Sequence, residues 1–471
     1  MATVKSKNIR VRIAPSPTGY LHIGTARTAL FNLLFAKHNN GKFVLRIEDT
    51  DLERSDKKFE KDIIESLKWL GLAWDEGPYR QSDRLEIYEK YVNKLLNENL
   101  AYYCFCSKED LETERQTMLA QGLAPKYSGR CRDLKSEEVK KRLDAGASHV
   151  IRFKTPEARV TFKDLIRGEI SFDAALLGDM TIAKDPKIPL YNFAVVVDDE
   201  EMKISHVIRG EDHIANTPKQ ILLQKALGFK TPQYAHLPLI LDPDRSKMSK
   251  RYSATSIQEY RDQGYLPQAI INFLAFLGWH PKEEREIMSL KELIKEFELN
   301  RVQKAGAVFN IEKLGWLNMQ YIKSFDNSEL AETLGVAATE ENLKIIDLTK
   351  PRMKKLSEFK DLAGFFFNLP EYDSKKLIWK TTPISTTLEN LQAVEKLLSE
   401  LTEKQFSKEN LESVFSEITK ERGRGEVLWP LRFALSGLDA SPGPFEIMEA
   451  LGKKETLKRL QIAIQKLESR S

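Results

Sequence analysis

The sequence predicts an α/β fold built on a parallel sheet, interrupted by an α+β insertion and followed by an all-α C-terminal region. Three observations predict it. A strand–loop–helix–strand unit opens the chain over residues 10–47, the connectivity that parallel strands require. From about Ser82 the pattern becomes a charge-rich mixture of short helices and strands, and the sheet signal resumes at Tyr191. Beyond Pro267 strands disappear, and over residues 324–471 the apolar spacing is helical throughout, with breaks at Pro351, Pro370 and Pro383.

Val11 and Ile13 alternate with Arg10, Arg12 and Ala14, the period of a strand. Pro15 and Pro17 stop it, because proline donates nothing to a ladder. Ala26, Ala29, Leu30, Leu33 and Leu34 then repeat at helical spacing until Asn39-Asn40-Gly41, and a second strand follows over 42–47. In such a unit the helix points free N–H groups at whatever fills the loop, which favours an anion. Gly24 lets a ligand approach the backbone, and His22 offers a donor for phosphate oxygens. Glu48, Asp49 and Asp51 follow the second strand, where ligands of doubly wound sheets collect, so they are placed to meet an ammonium group. Asp51 is assigned instead to the start of the amphipathic helix marked by Phe59, Ile63, Ile64, Leu67 and Leu70.

In the insertion, Cys104-Phe105-Cys106 and Cys131 form a zinc-site pattern, with one ligand still needed for a tetrahedron. The competing reading is three buried thiols acting as small hydrophobes. Residues 150–153 and 160–162 read as short strands. Residues 191–197 are an apolar run expected as a strand buried on both faces, with Asp198-Asp199 as the turn that ends it. A strand over 204–208 follows, and Thr217-Pro218-Lys219-Gln220 reads as a capping box. Arg209 at that strand's end and Arg12 on the first strand each offer a planar fork for a carboxylate, although pairing with a surface acid is the commoner use of a single arginine. Residues 234–241 read as another strand, followed by a basic loop whose Lys247 and Lys250 are placed to neutralise phosphates. Further on, Ile270, Ile271, Phe273, Leu274, Phe276 and Leu277 mark a buried helix, and Ser289 to Glu292 a capped one.

The chain has 471 residues, room for about three domains. Its net charge of +4 does not argue for a polyanion partner, so any nucleic-acid surface is a local patch. No apolar run approaches the ~18 residues of a membrane span, the start of the chain has no signal-peptide core, and three cysteines do not make a disulfide framework. Together these place the chain in the cytoplasm, away from membranes.

His22-Ile23-Gly24 and Lys247-Met248-Ser249-Lys250-Arg251 resemble the HIGH and KMSKS signatures of class I aminoacyl-tRNA synthetases. The stretches Arg12-Ile13-Ala14-Pro15-Ser16-Pro17-Thr18-Gly19 and Arg46-Ile47-Glu48-Asp49-Thr50-Asp51 narrow the resemblance to bacterial-type glutamyl-tRNA synthetases, from about the tenth residue to the C-terminus. The resemblance implies a Rossmann-type catalytic domain over 1–85 and 189–241, with an acceptor-binding insertion over 86–188. A KMSKS loop and stem-contact region would follow over 242–325, then a helical anticodon-binding region over 326–471. It implies activation of L-glutamate by ATP with Mg²⁺, then transfer to the 3′ end of tRNA(Glu), by a monomer. His22, Lys247 and Lys250 would be catalytic. Arg12, Ala14, Ser16, Glu48, Tyr191, Val195 and Arg209 would bind glutamate. Gly24, Thr25, Asp212, Ile240, Met248 and Ser249 would bind ATP together with His22, Lys247 and Lys250.

The cysteines resemble the zinc site of some bacterial members of that family. Where the commonest form has a histidine two residues after the last cysteine, this chain has Asp133, so Asp133, Tyr127 or water would complete Cys104, Cys106 and Cys131. The family usually continues the lysine signature with His-Gly, and Tyr252-Ser253 stands here instead. In the helical region, Arg422-Gly423-Arg424 and Trp429-Pro430-Leu431-Arg432 are the local candidates for phosphate contact and base stacking. The long helical tail separates the chain from glutamyl-queuosine tRNA(Asp) synthetases, and its lack of strand signal from glutaminyl enzymes.

Overall fold

The computed structural model describes residues 9–51, 53–248 and 255–470. The chain divides into two compact units, Met1–Asp262 with Pro267–Leu314, and Gln263–Leu266 with Gly315–Ser471.

In the first unit β1 (Arg10–Ile13), β2 (Lys42–Ile47) and β3 (Glu76–Arg80) pair in parallel, joined by crossovers that carry α1 (Ile23–His38) and α2 (Lys57–Trp69). Val11, Phe43, Val44, Leu45 and Ile47 are fully or nearly fully buried, as a sheet covered on both faces demands. After α3 (Leu85–Asn97) the inserted segment builds an antiparallel sheet from β4 (Ala101–Cys104), β5 (Val150–Phe153), β8 (Thr181–Asp185) and β9 (Ile188–Pro189). Its α4 (Lys108–Ala120) and α5 (Ser136–Asp144) have no fully buried residue and lie on the surface. The hairpin of β6 (Arg159–Asp164) and β7 (Gly168–Asp173) behaves differently. It joins the parallel strands β10 (His206–Gly210) and β11 (Gln233–Leu237) through the pair Tyr234–Asp164, giving the order β10-β11-β6-β7.

Residues 191–197 are not a strand. They open helix α6 (Tyr191–Glu201), whose Phe193, Ala194, Val196 and Val197 share a core with Tyr88, Val92, Phe153 and Leu223. A short apolar run fits a buried strand and a buried helix equally well by period. Here the place beside β1 is taken by β10, so the run packs across the sheet as a helix. Asp198 and Asp199 accordingly form no turn; both are buried in α6, and the chain reverses at Lys203, whose φ is +55°.

Three smaller expectations also fail for local reasons. Helix α7 (Thr217–Leu227) has no capping box, because a 3₁₀ turn, Glu211–Asn216, leads straight into it and the Thr217 hydroxyl bonds elsewhere. Residues 234–241 split at Pro238, and Ile240–Leu241 pairs with Ala307–Val308, a short strand beyond Pro267. Asp51 pairs with Arg54 in a turn, while Asp56 caps α2. By contrast, Pro267–Phe276 is the buried helix the sequence described, and Ser289 and Glu292 form a reciprocal capping box on Leu290–Glu296.

The second unit is helical, with Ile384–Glu400, Lys408–Arg422, Arg424–Ser436 and Pro444–Glu468 as its longer helices. Gly315 already belongs to it, ahead of residue 326, where the sequence placed the start of the helical region. Arg459 is 1% exposed and donates to Phe365 O at 2.7 Å, Phe366 O at 3.0 Å and Leu435 O at 2.7 Å. One guanidinium thus satisfies the carbonyl ends of two helices. No helix among the described residues is long and apolar enough to cross a membrane.

Candidate active site

Ser205 N donates to Arg10 O at 2.9 Å, which sets β10 beside β1. From that seam the chain winds outward both ways, toward β2 and β3 on one side and β11 on the other. Sheets of this kind open a crevice at the carboxyl ends of the two central strands. A cavity of about 480 Å³ lies there.

Each wall comes from a strand end or the turn after it. Arg12, Ala14 and Ser16 come from β1 and its exit, Glu48 from the end of β2, and Arg209 and Asp212 from the end of β10. His22, Gly24 and Thr25 bring the N-terminus of α1, Tyr191 the start of α6, and Ile240, Lys247 and Met248 the segment after Pro238. The first turn of α1 has no acid to neutralise its positive end. His22 is its N-cap, and its Nδ1 accepts from Gly24 N at 3.0 Å, so the ring proton is on Nε2, a donor. A Cβ on Gly24 would meet only the His22 ring, so Gly24 leaves the backbone open on the remaining side.

Beneath the cavity lies a buried charge layer. Arg46, fully buried, donates to Asp199 at 2.8 Å and Glu48 at 3.0 Å, with Asp198 at 3.7 Å. Asp199 also holds Arg12 at 3.2 Å, and Asp198 accepts from Arg84 at 2.7 Å, Gln81 at 2.8 Å and Tyr88 at 2.9 Å. Burial would raise the Asp199 carboxyl, but Arg12 and Arg46 overcome it and hold the group below the ordinary carboxylate range. Burial wins at Glu48, whose pKa is raised despite Arg46. Arg12 therefore both lines the cavity and serves a structural pair.

Arg209 is 5% exposed and has no carboxylate in ion-pair range among the described residues. Its Nε donates to His236 Nε2 at 3.3 Å and its Nη2 to Thr217 Oγ1 at 2.8 Å, and Nη1 has no partner. A buried cation without an anion is costly unless a ligand supplies one. The Tyr191 hydroxyl bonds His213 Nδ1 at 3.0 Å, and burial with nearby Arg209 pushes His213 down to about 4, so it is neutral at physiological pH.

Of the residues singled out from the sequence, Val195 is 1% exposed, one turn into α6 from Tyr191, and does not line the cavity. Ser249 and Lys250 lie outside the described residues. Sequence reasoning missed the buried roles of Arg46, Asp198 and Asp199; the two acids carry one signal, that they directly follow an apolar run and are buried once that run is a helix. It also missed Arg27, a cation inside the apolar face of α1 whose side chain donates to Leu277 O and Pro238 O.

The three thiols converge. The Cys104, Cys106 and Cys131 sulfurs lie within 4.8 Å of one another, with Cys106 and Cys131 at 3.6 Å. The Tyr127 hydroxyl sits 3.4 Å from both Cys104 and Cys106 and accepts from Cys131 N at 2.9 Å. Asp133 is exposed and outside the cluster, because the turn after Cys131 carries it toward solvent.

In the second unit Trp379 and Trp429 meet at 5.1 Å between ring centres, with Lys380 over one ring and Arg432 over the other. Gly425 is required here, since a Cβ would come within 2.6 Å of Trp379 Nε1. Arg432 also bonds Leu438 O and Ser441 Oγ, and Arg422 bonds Asn390 Oδ1.

The family described as tRNA synthetases class I (E and Q), catalytic domain, matches residues 8–316, and the anticodon binding domain matches 316–464. The chain is 45% identical to glutamate–tRNA ligase 2 of Thermoanaerobacter pseudethanolicus, over 97% of this chain and 98% of that one. It is also 45% identical to the glutamate–tRNA ligase of Carboxydothermus hydrogenoformans, over 96% and 99%. A crystal structure of a glutamate tRNA ligase from Elizabethkingia meningosepticum, in complex with its amino acid, superposes with a TM-score of 0.88 at 38% identity, covering 97% of this chain and 99% of that one. By sequence, by fold and over nearly its whole length, the chain belongs to the glutamate–tRNA ligases of the class I tRNA synthetase family.

Proposed function

We propose that this cavity activates L-glutamate with ATP and passes it to tRNA(Glu), and that Arg209 holds the side-chain carboxylate of glutamate. The observation that carries the reading is the buried, acid-free guanidinium of Arg209 on the wall of the same cavity as the open N-terminus of α1. One end receives a carboxylate and the other a phosphate chain.

The chemistry is positioning and charge stabilisation. An α-carboxylate oxygen of glutamate attacks the α-phosphorus of ATP, the bond to the β,γ-pyrophosphate breaks, and pyrophosphate leaves. A terminal ribose hydroxyl of the tRNA then attacks the carbonyl carbon, and AMP departs. His22 Nε2–H and the N–H groups at the start of α1 meet the phosphate oxygens as charge grows on them. Lys247 steadies the departing phosphates, a task shared by Lys250. Glu48 takes the substrate ammonium, with Ala14, Ser16 and Tyr191 shaping the pocket. Gly24, Thr25, Asp212, Ile240 and Met248 border the nucleotide. Mg²⁺ would lower the charge of the phosphates. With Glu48 given to the ammonium, Asp212 is the other acid on the wall, so the ion would be held chiefly by ATP itself.

The thiol cluster fits Zn²⁺. Three soft thiolates select Zn²⁺ over the hard cations and one phenol oxygen brings the donors to four, so Cys104, Cys106, Cys131 and Tyr127 would hold a structural ion that pins the insertion. Trp379 and Trp429, with their cations, offer a stacking surface for tRNA bases. Charging purified tRNA(Glu) and tRNA(Gln) in parallel, with glutamate-dependent ATP–pyrophosphate exchange run with and without tRNA, tests the reading. We expect tRNA(Glu) to be charged and exchange to require tRNA. Absence of charging would overturn the reading, and strong exchange without tRNA would remove the dependence on tRNA.

A further inference from the structure

We infer that His236, backed by Asp164 and joined by Thr217, is a positioning residue that aims Arg209 into the cavity. The inference rests on the reading of Arg209 as the glutamate clamp. His236 and Asp164 are fully buried or nearly so, on the adjacent strands β11 and β6. Asp164 Oδ2 is 2.6 Å from His236 Nδ1, and the same carboxylate accepts from the backbone N–H groups of His236, Ile166 and Arg167. A carboxylate so placed fixes the proton on Nδ1, which leaves Nε2 as an acceptor. Nε2 faces Arg209 Nε at 3.3 Å and Thr217 Oγ1 at 3.0 Å, and Thr217 Oγ1 in turn accepts from Arg209 Nη2 at 2.8 Å.

The consequence is geometric. Two neutral acceptors engage one edge of the guanidinium without cancelling its charge, so the plane cannot turn and the unpartnered Nη1 stays available. A carboxylate in place of His236 would grip the same edge but neutralise the cation the pocket needs. Asp164 already has three backbone donors and does not need His236 for satisfaction, so a histidine at this point serves Arg209. Asp164 lies in the inserted segment, which makes that segment's hairpin part of the amino-acid pocket's support.

The test compares glutamate and ATP KM in tRNA-dependent exchange for His236→Asn, His236→Gln, Thr217→Val and Arg209→Lys, each as the full chain. Asn keeps a donor toward Asp164 but has no acceptor at the Nε2 position, whereas Gln can place an oxygen there. Loss of a hydrogen bond to a charged group predicts about a tenfold rise in glutamate KM for His236→Asn and for Thr217→Val, with ATP KM unchanged. His236→Gln should recover most of it, and Arg209→Lys with His236→Asn should be no worse than Arg209→Lys alone. A raised glutamate KM in Arg209→Lys with none in His236→Asn overturns the positioning role and leaves the clamp standing. An unchanged KM in Arg209→Lys overturns both. Equal rises in glutamate and ATP KM overturn the role as general disruption, and should His236→Asn fail to fold, Thr217→Val decides by the same criteria.

Discussion

Asp199→Asn keeps the size of the side chain and removes one charge from beneath the cavity. The buried layer is neutral as it stands: Arg12, Arg46 and Arg84 face Glu48, Asp198 and Asp199. The variant leaves one positive charge in excess and turns an amide donor toward Arg46 Nη1 or Arg12 Nε, which now bond Asp199 at 2.8 and 3.2 Å. Breaking one side of a buried pair costs about 3–5 kcal/mol, and Asp199 serves two cations at 4% exposure, so the upper half of that range applies. With a urea dependence of about 3 kcal/mol per molar, the unfolding midpoint of the catalytic unit should fall by about 1–2 M. The sign with pH follows from the lowered carboxyl. The unfolded chain binds its proton first, so the stabilisation is complete above about pH 4 and is lost as pH falls through the folded pKa. The gap between wild type and variant should therefore be full at pH 7, begin to narrow near pH 4 and close only as pH falls through the folded pKa. A midpoint at pH 7 within about 0.3 M of wild type would show that the layer is not an interdependent ion-pair network.

Other consequences can be measured separately. Lys247→Ala should slow single-turnover adenylate formation by about a hundredfold or more with tRNA affinity unchanged, because its charge meets charge that develops in the transition state; a wild-type rate would remove Lys247 from the chemistry. Protein purified without chelator should carry one zinc equivalent by elemental analysis, and stripping it should weaken acceptor-arm binding; metal well below one equivalent, with three thiols titrating freely in the native state, would make the cysteines packing residues. Tyr127→Phe should weaken the metal while Asp133→Asn leaves it unchanged, and the reverse order would restore Asp133 as the ligand. Trp429→Ala should cost about 1–3 kcal/mol of tRNA affinity without altering glutamate KM at saturating tRNA, as filter binding and exchange would report.

Local chemistry was legible in the sequence wherever a few adjacent residues settle their own geometry. Pro15 and Pro17 must end β1, the Ser289–Glu292 box must start a helix, and a strand–loop–helix–strand unit must set a helix N-terminus at a strand end. Motif resemblance named the family from the residues around His22 and Lys247. Tertiary structure alone decided that 191–201 is a helix, because periodicity cannot separate a buried strand from a buried helix while neighbours can: β10 already fills the place beside β1. That one outcome turns Asp198 and Asp199 from a surface turn into the buried partners of Arg46, Arg84 and Arg12. It also decided what Arg209 touches. Asp164, Thr217 and His236 are scattered along the chain and meet only because β6 joins β11 in one sheet, and no local rule links residues whose contact depends on strand order.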